Sequence, residues 1–292
     1  FAPDADAAVF GILGRQPSPF GGRGRGDRVS RHPRVHPGDQ VGLPGQPLHL
    51  PDAQAHQDQE DDPGRDQQGD GAAAGGHARA QVLYYIAENL SARAAEFAAR
   101  TSRAEVDAAI ARAFHYAAWA DKFDGATVQA RPGHLINVIP EPMGVIGITC
   151  PNAQPLAGFL SLVLPAIAMG NAVVAIPAQD DPLAVTDLYQ VFDTSDLPAG
   201  VVNIVTGVTA DLAVPLAAHE EVAGLWHAGP AAGLAAVDRA AAGNLKPVWA
   251  VPARDWTGVH AQGEAFLHHA TRSKTIWLPY GALPEGTGSA AY

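Results

Sequence analysis

The spacing of apolar positions changes several times along the chain, and each change marks a predicted element. Gly144 to Thr149 (GVIGIT) is a short β-branched run stopped by Cys150-Pro151-Asn152, the pattern of a buried strand entering a turn. Pro155 to Met169 (PLAGFLSLVLPAIAM) is apolar almost all round, which predicts a helix buried on most sides. Gly170-Asn171 ends that helix, and Ala172 to Ile176 (AVVAI) predicts a second buried strand. A helix over Leu183 to Phe192, a turn at Leu197-Pro198-Ala199-Gly200 and a strand over Val201 to Val205 complete the unit. Strand, helix, strand, helix, strand is the repeat of a doubly wound parallel sheet, which binds ligands at the carboxyl ends of its strands.

The flanks fit the same plan. Val82 to Ala99 puts Val82, Tyr85 or Ile86, Leu90, Ala94 and Phe97 on one stripe of an amphipathic helix. Ser102-Arg103-Ala104-Glu105 reads as a capping box opening a second helix to about Lys122, which buries Val106, Ile110, Phe114 and Trp119. His115 lies beside that stripe as a packing or surface residue. Thr127 to Ile139 predicts a strand pair turning at Arg131-Pro132-Gly133. Beyond Gly207 the alternation continues: helix over Asp211 to His219, strand over Val222 to Trp226, helix over Gly229 to Ala242, strand over Leu245 to Val251. A helix at Glu264 to Ala270 precedes a terminal strand at Thr275-Ile276-Trp277-Leu278, and Gly281 to Tyr292 reads as a frayed tail.

Residues 1–78 differ in kind. They are rich in Gly, Pro, Arg, His, Gln and Asp without a sustained period, so they bury too little apolar surface to offset the entropy of ordering. The chain carries three lysines against sixteen arginines and is alanine-rich, as in GC-rich genomes. A gene of that kind read out of frame yields mainly Arg, Gly, Pro, Ala and His, so residues 1–78 are expected to be low-complexity, disordered or out of frame. Residues 79–292 are expected to form the domain. Arg25-Gly26-Asp27 reads as chance within such composition, and Pro33 and Pro37 forbid His32 and His36 a helical metal pair.

Composition narrows the function classes. A formal charge of −11 argues against a nucleic-acid partner. The longest apolar stretch, Leu156 to Ile176, is interrupted by Pro165 and Gly170-Asn171, so no membrane span is predicted. A single cysteine excludes an internal disulfide framework and fits the cytoplasm. No metal-ligating set is predicted.

Three stretches, EPMGVIGIT, PLAGFLSLVLPAIAMGNAVVAIPA and DLPAGVVNIVTG, resemble in sequence and order the cofactor-binding domain of the aldehyde dehydrogenases. The resemblance implies an α/β, Rossmann-like doubly wound parallel sheet with two helices preceding it, and NAD or NADP as cofactor. It also implies a cysteine thiolate that attacks the aldehyde carbonyl and a glutamate that activates water. Here no cysteine follows Cys150, and the family's glutamate-leucine-glycine-glycine stretch corresponds to Asn244-Leu245-Lys246-Pro247. No catalytic residue is therefore assigned. Cys150, at a strand end beside a helix start, reads as an inert buried or half-buried thiol.

The resemblance places the cofactor groove at Asn152, Ile176, Gly207, Gly229 and Gly233, in degraded form. Ile176 stands where the family has the ribose lysine, Gln179 where it has an acidic partner, and His227-Ala228-Gly229-Pro230 replaces a phenylalanine-threonine-glycine-serine turn. Pro230 removes a hydroxyl and a backbone donor at a helix start that would face phosphate. The glycines also permit tight strand-to-helix turns with no ligand at all.

The Cys-Pro turn, the run GNLK and the ending Lys274 to Gly281 (KTIWLPYG) resemble the C-terminal, nucleophile-free domain of the two-domain, family-sixteen aldehyde dehydrogenases. That implies a pseudo-domain, a fragment lacking the catalytic domain, which packs beside a catalytic aldehyde dehydrogenase domain or self-associates through the Ile276-Trp277-Leu278 strand. The alternative is an NAD(P)-dependent aldehyde dehydrogenase completed by another chain or shortened by sequence error.

Overall fold

The computed structural model describes residues 75–129 and 133–280. The expectations for residues 1–74, for the turn tip Arg131-Pro132 and for the tail beyond Tyr280 fall outside these. Helix α1 (Gly76–Ala92) starts six residues before the predicted Val82, and a break at Arg93 separates it from α2 (Ala94–Arg100), so the one helix expected to Ala99 is two. Of the predicted stripe Ile86, not Tyr85, turns inward, together with Leu90 and Phe97, while Leu83 takes the buried place expected of Val82.

Helix α3 (Arg103–Trp119) follows, with Ser102 Oγ accepting the Glu105 N–H at 3.2 Å. The reciprocal half of the capping box does not form. Glu105 is buried and its carboxylate accepts instead from the N–H groups of Leu156 and Ala157, at 3.2 and 3.5 Å, capping a different helix. The buried stripe of α3 is also rotated from the predicted one: Val106, Ala109, Ala113, Tyr116 and Ala117 face inward, while Phe114 lies on the outside against Tyr84. Small alanines let α3 approach α1 closely, and that approach decides the orientation over the larger side chains.

Two sheets follow. Strand β1 (Ala126–Val128) pairs antiparallel with β2 (His134–Pro142), the predicted hairpin. The second sheet is parallel, built from β3 (Val145–Thr149), β4 (Ala172–Ile176), β5 (Val202–Ile204), β6 (Val222–His227) and β7 (Val248–Ala250) in the order β5-β4-β3-β6-β7. Between them run α4 (Pro155–Ala168), α5 (Leu183–Thr186), α6 (Leu188–Thr194), α7 (Thr209–Ala218) and α8 (Leu234–Ala241). The single helix predicted for Leu183 to Phe192 is thus two, divided at Asp187. Every α4 residue from Leu156 to Ala168 is buried, as an all-round apolar helix requires. Gly170, at φ +89, ends it in the left-handed conformation, with Asn171 N–H returning to Ala166 O at 3.1 Å.

One face of the parallel sheet carries α1 to α4 and α6, and the other carries α7 and α8. After β7 a packed loop leads to α9 (Glu264–His269) and β8 (Thr271–Pro279). Strand β8 begins four residues earlier than predicted and pairs antiparallel with β2 along its whole length, so the first sheet reads β1-β2-β8 with β8 at its edge. Among the described residues, no helix is long and apolar enough to cross a membrane.

Candidate functional site

Strand order reverses between β3 and β6, and a doubly wound sheet opens a crevice at the carboxyl ends of such a pair. The two strand ends are Thr149 and His227. Both are buried, and Thr149 Oγ1 lies 2.7 Å from His227 Nδ1. Nε2 of the same ring is 3.1 Å from Pro230 O. A carbonyl only accepts, so Nε2 carries a proton and donates, and Nδ1 accepts the Thr149 hydroxyl. Ala228 N–H donates to Thr149 O at 2.9 Å. The crevice is zipped shut at its base.

Above this base lies a cleft of about 380 Å³ between the first turns of α7 and the segment from Pro230 to Val237. Ala210, Ala213 and Val214 form one wall, and Ala232, Ala236 and Val237 the other. Asn152, Gln179, Thr209 and His227 supply its polar atoms. Much of that polarity is already used. Asn152 Nδ2 donates to Asp180 Oδ2 at 2.9 Å and its Oδ1 accepts from Gln179 N at 3.0 Å, tying together the loops after β3 and β4. Gln179 Oε1 accepts the Thr209 N–H at 3.0 Å.

The residues named from resemblance therefore separate. Asn152 and Gly233 line the cleft. Ile176 does not: it is 1% exposed and packs in the core beneath α7 and α8. A side chain at Gly229 would press on the His227 ring, its Cβ falling 3.1 Å from Cε1, so this glycine serves the zipped base. Gly207 gives room to Leu212, whose Cδ1 would lie 2.8 Å from an added Cβ. His227 stands in the turn that the resemblance set against the cofactor, whereas Thr209 was not singled out in the sequence, since only the crossover from β5 brings it to the end of β6.

Catalytic groups are equally scattered. Cys150 is 2% exposed in the core, and burial pushes its thiol far above the usual range, the opposite of an activated nucleophile. Asn244 precedes β7 at the amino end of the sheet and donates to Glu220 O at 3.2 Å, away from the cleft. The cleft end of that strand carries Ala250 and buried Val251. The next carboxylate, Asp255, is held below its ordinary range by hydrogen bonds from Thr257 and Gln154, which suits a structural acceptor rather than a base. Among the described residues no group of three or more His, Cys, Asp and Glu is gathered for a metal ion.

A dinucleotide's phosphates would need cations or free N–H groups here, and the residues present do not fit them. Among the described residues no lysine or arginine lines the cleft, Pro230 has no N–H, and the Asn152 and His227 side chains are engaged. The N-terminus of α4 is capped internally by the Glu105 carboxylate.

Comparison with known proteins places this arrangement. The model of the aldehyde dehydrogenase family matches residues 66–251. Aldehyde dehydrogenase family 2 member B4, mitochondrial, of Arabidopsis thaliana is 38% identical over 135 residues, 46% of this chain and 25% of its own length. Benzaldehyde dehydrogenase, mitochondrial, of Antirrhinum majus matches to the same extent, 38% over 135 residues. The chain thus spans about a quarter of the length of these curated relatives. Among solved structures, a putative aldehyde dehydrogenase from Burkholderia cenocepacia superposes with a TM-score of 0.58 at 32% identity, covering 60% of this chain and 39% of that one. PnpE in complex with nicotinamide adenine dinucleotide gives 0.57 at 26%, covering 60% and 38%. With the parallel sheet, its switch point and a family match over more than half its length, the chain belongs to the aldehyde dehydrogenase family.

Proposed function

We propose that this chain is a non-catalytic domain of the family, with a structural role beside a catalytic aldehyde dehydrogenase domain, as in the C-terminal half of the family-sixteen enzymes. The observation that carries this reading is the state of its one thiol. Cys150 is sealed in the core, and no carboxylate stands free at the cleft to act as base. Hydride transfer to NAD(P) needs a tetrahedral adduct at an accessible thiolate, and nothing here forms one.

The structural role rests on β8. Its outer edge has no strand partner among the described residues, and Trp277 and Leu278 are half exposed. Leu135, Ile139 and Val128 expose further apolar surface on the same small sheet. An edge of this kind pairs with another strand or aggregates. Its partner is a companion catalytic domain or a second copy of the chain, pairing through Ile276-Trp277-Leu278 without nucleic acid or membrane.

The intact parallel sheet and the 38% identity to a relative named as an aldehyde dehydrogenase favour one other reading, an NAD(P)-dependent enzyme completed by another chain. An NADH and NADPH production assay with a panel of aldehydes, run on the full chain alone and with a catalytic aldehyde dehydrogenase chain whose own nucleophile has been replaced, separates the two. The full chain is expected to give the rate of the blank. Turnover that Cys150→Ser abolishes would overturn the proposal.

A further inference from the structure

The short helix α9 ends in two adjacent imidazoles, and each lies on an aromatic ring of a different element. His269 stacks on Trp249 of β7, with ring centroids 3.9 Å apart and planes 13° from parallel. His268 meets Phe123, in the loop after α3, edge to face at 5.0 Å and 74°. The indole of Trp249 is itself held edge to face by Trp226 at 5.1 Å and by Phe266 at 5.2 Å. The two histidines thus fasten the end of α9 to two neighbours. Thr271, two residues beyond His269, begins β8, so the same turn sets how the edge strand enters its sheet.

The His269 side chain makes no hydrogen bond among the described residues, so stacking alone orients it. A ring laid flat on an indole gives up water on one face, and that burial holds His269 below the ordinary imidazole range. The positive charge of His268 beside it works in the same direction. The π face of Trp249 attracts a cation and opposes these effects in part. Glu264, at the far end of α9, and Asp124, beyond Phe123, are bonded to neither imidazole. The other charges of the packed elements are engaged elsewhere. Arg254 donates to Pro252 O and His260 O, Asp255 accepts from Thr257 and Gln154, Lys122 pairs with Asp121, Arg272 donates to Ala223 O, and Lys274 pairs with Glu141. Lys246, before β7, donates to His219 O, and His227, at the end of β6, is held by Thr149 and Pro230. The carbonyls at the end of α9, which would attract a cation, are also taken: Ala270 N–H returns to Phe266 O and Leu267 O, both at 3.1 Å, and the Thr271 hydroxyl donates to Leu267 O at 3.1 Å.

We infer that the end of α9 is an acid-sensitive latch on β8: protonation of His269 lifts its ring from Trp249, and the junction from His268 to Lys274 opens more often. The closed junction holds this proton less tightly than the open one. The latch is therefore fully closed above the ordinary imidazole pKa of 6.5 and loses stability as the pH falls below it. Buried Phe266 and Leu267, with the Asn171 bond to Ala270 O, keep the rest of α9 in place, so the opening is local. The latch goes beyond the structural role proposed above and, being read at its own ring and amides, stands whether or not β8 pairs with a partner.

Histidine-ring NMR and amide exchange read by mass spectrometry, on the full chain and its His269→Phe variant, test this. Phenylalanine keeps a ring on Trp249 and cannot titrate; His269→Gln serves in its place if that variant does not fold. The His269 signal, assigned by its loss in the variant, is expected to titrate with a midpoint below 6.5. From about pH 8 to about pH 6, opening of residues 264–276, corrected for the intrinsic exchange rate, should rise at least about threefold in the unaltered chain. In the variant it should change less than about 1.5-fold, because the remaining histidines lie outside the stack. A His269 midpoint above 6.5 would overturn the inference, since Trp249 would then hold the protonated ring and acid would tighten the contact. So would the same pH dependence of exchange in the unaltered chain and the variant.

Discussion

Asn171 ties three segments of the fold together through one side chain. It is fully buried at the end of α4, and its amide bonds in four directions. Oδ1 accepts from Met143 N at 2.7 Å and Gly144 N at 3.0 Å, and Nδ2 donates to Ala166 O and Ala270 O, both at 2.9 Å. One residue thereby joins the turn before β3, the end of α4 and the end of α9. Ala166 O keeps a second donor, the Asn171 N–H, so truncation leaves Met143 N, Gly144 N and Ala270 O to lose their side-chain partner. At about 1 kcal/mol net for each bond, and more where a group stays buried, Asn171→Ala should cost about 3–5 kcal/mol. Asn171→Asp separates the two halves of the amide. The carboxylate still accepts from Met143 and Gly144, but it cannot donate and would face two carbonyl oxygens, for a loss of about 2–4 kcal/mol. Equilibrium urea unfolding followed by tryptophan fluorescence measures both, the midpoint falling at constant slope. A stability change under about 1 kcal/mol for Asn171→Ala would refute the reasoning, because the four bonds would then have no net value.

Other consequences follow from buried polar groups and from the free edge. Arg112 is 2% exposed and donates to Trp256 O, Gly258 O and Ala261 O with no carboxylate among its hydrogen-bond partners. Arg112→Met should release the 251–263 loop, raising limited-proteolysis rates within it about tenfold or more while the sheet core persists; unchanged cleavage would show that Trp256 packing alone holds the loop. Ile276→Pro removes a ladder donor from β8 and should lower self-association, read by light scattering against concentration, whereas a mass unaffected by the substitution would move the contact elsewhere. Glu105→Gln removes a charged acceptor from the first turn of α4 and should cost about 1–2 kcal/mol in the same urea assay, with no change if the contact is idle.

The parallel sheet was legible because β3 and β4 are continuous apolar runs and α4 is apolar on every side, patterns that only a doubly buried layer explains. The same logic faltered where contrast was low. In α3 most inward positions are alanine, so the larger Ile110 and Phe114 drew the predicted stripe away from Ala109, Ala113 and Tyr116. The start of β8 is Thr-Arg-Ser-Lys, exposed on both faces, and only its register with Pro142 to Ile139 makes it a strand. Glu105 was assigned to its own helix because a capping box is a local pattern, whereas its actual partners lie about fifty residues away. At the cleft, Asn152 and Gly233 were reachable from motif position. His227 was reachable in the same way, from its turn; Thr209 belongs to the site through topology, which no local spacing reports.

The central claim, that the family fold persists while its one thiol is unavailable for chemistry, is tested most directly by the reactivity of Cys150. Iodoacetamide labelling of the native full chain, followed by mass spectrometry, gives its rate against the same chain in denaturant. Desolvation of the thiolate and burial of the side chain both act to slow it, and labelling is expected to be at least about a thousandfold slower in the folded state. Native labelling as fast as in denaturant, accelerated or blocked by NAD, would mean an open thiolate beside a working cofactor groove and would contradict the account.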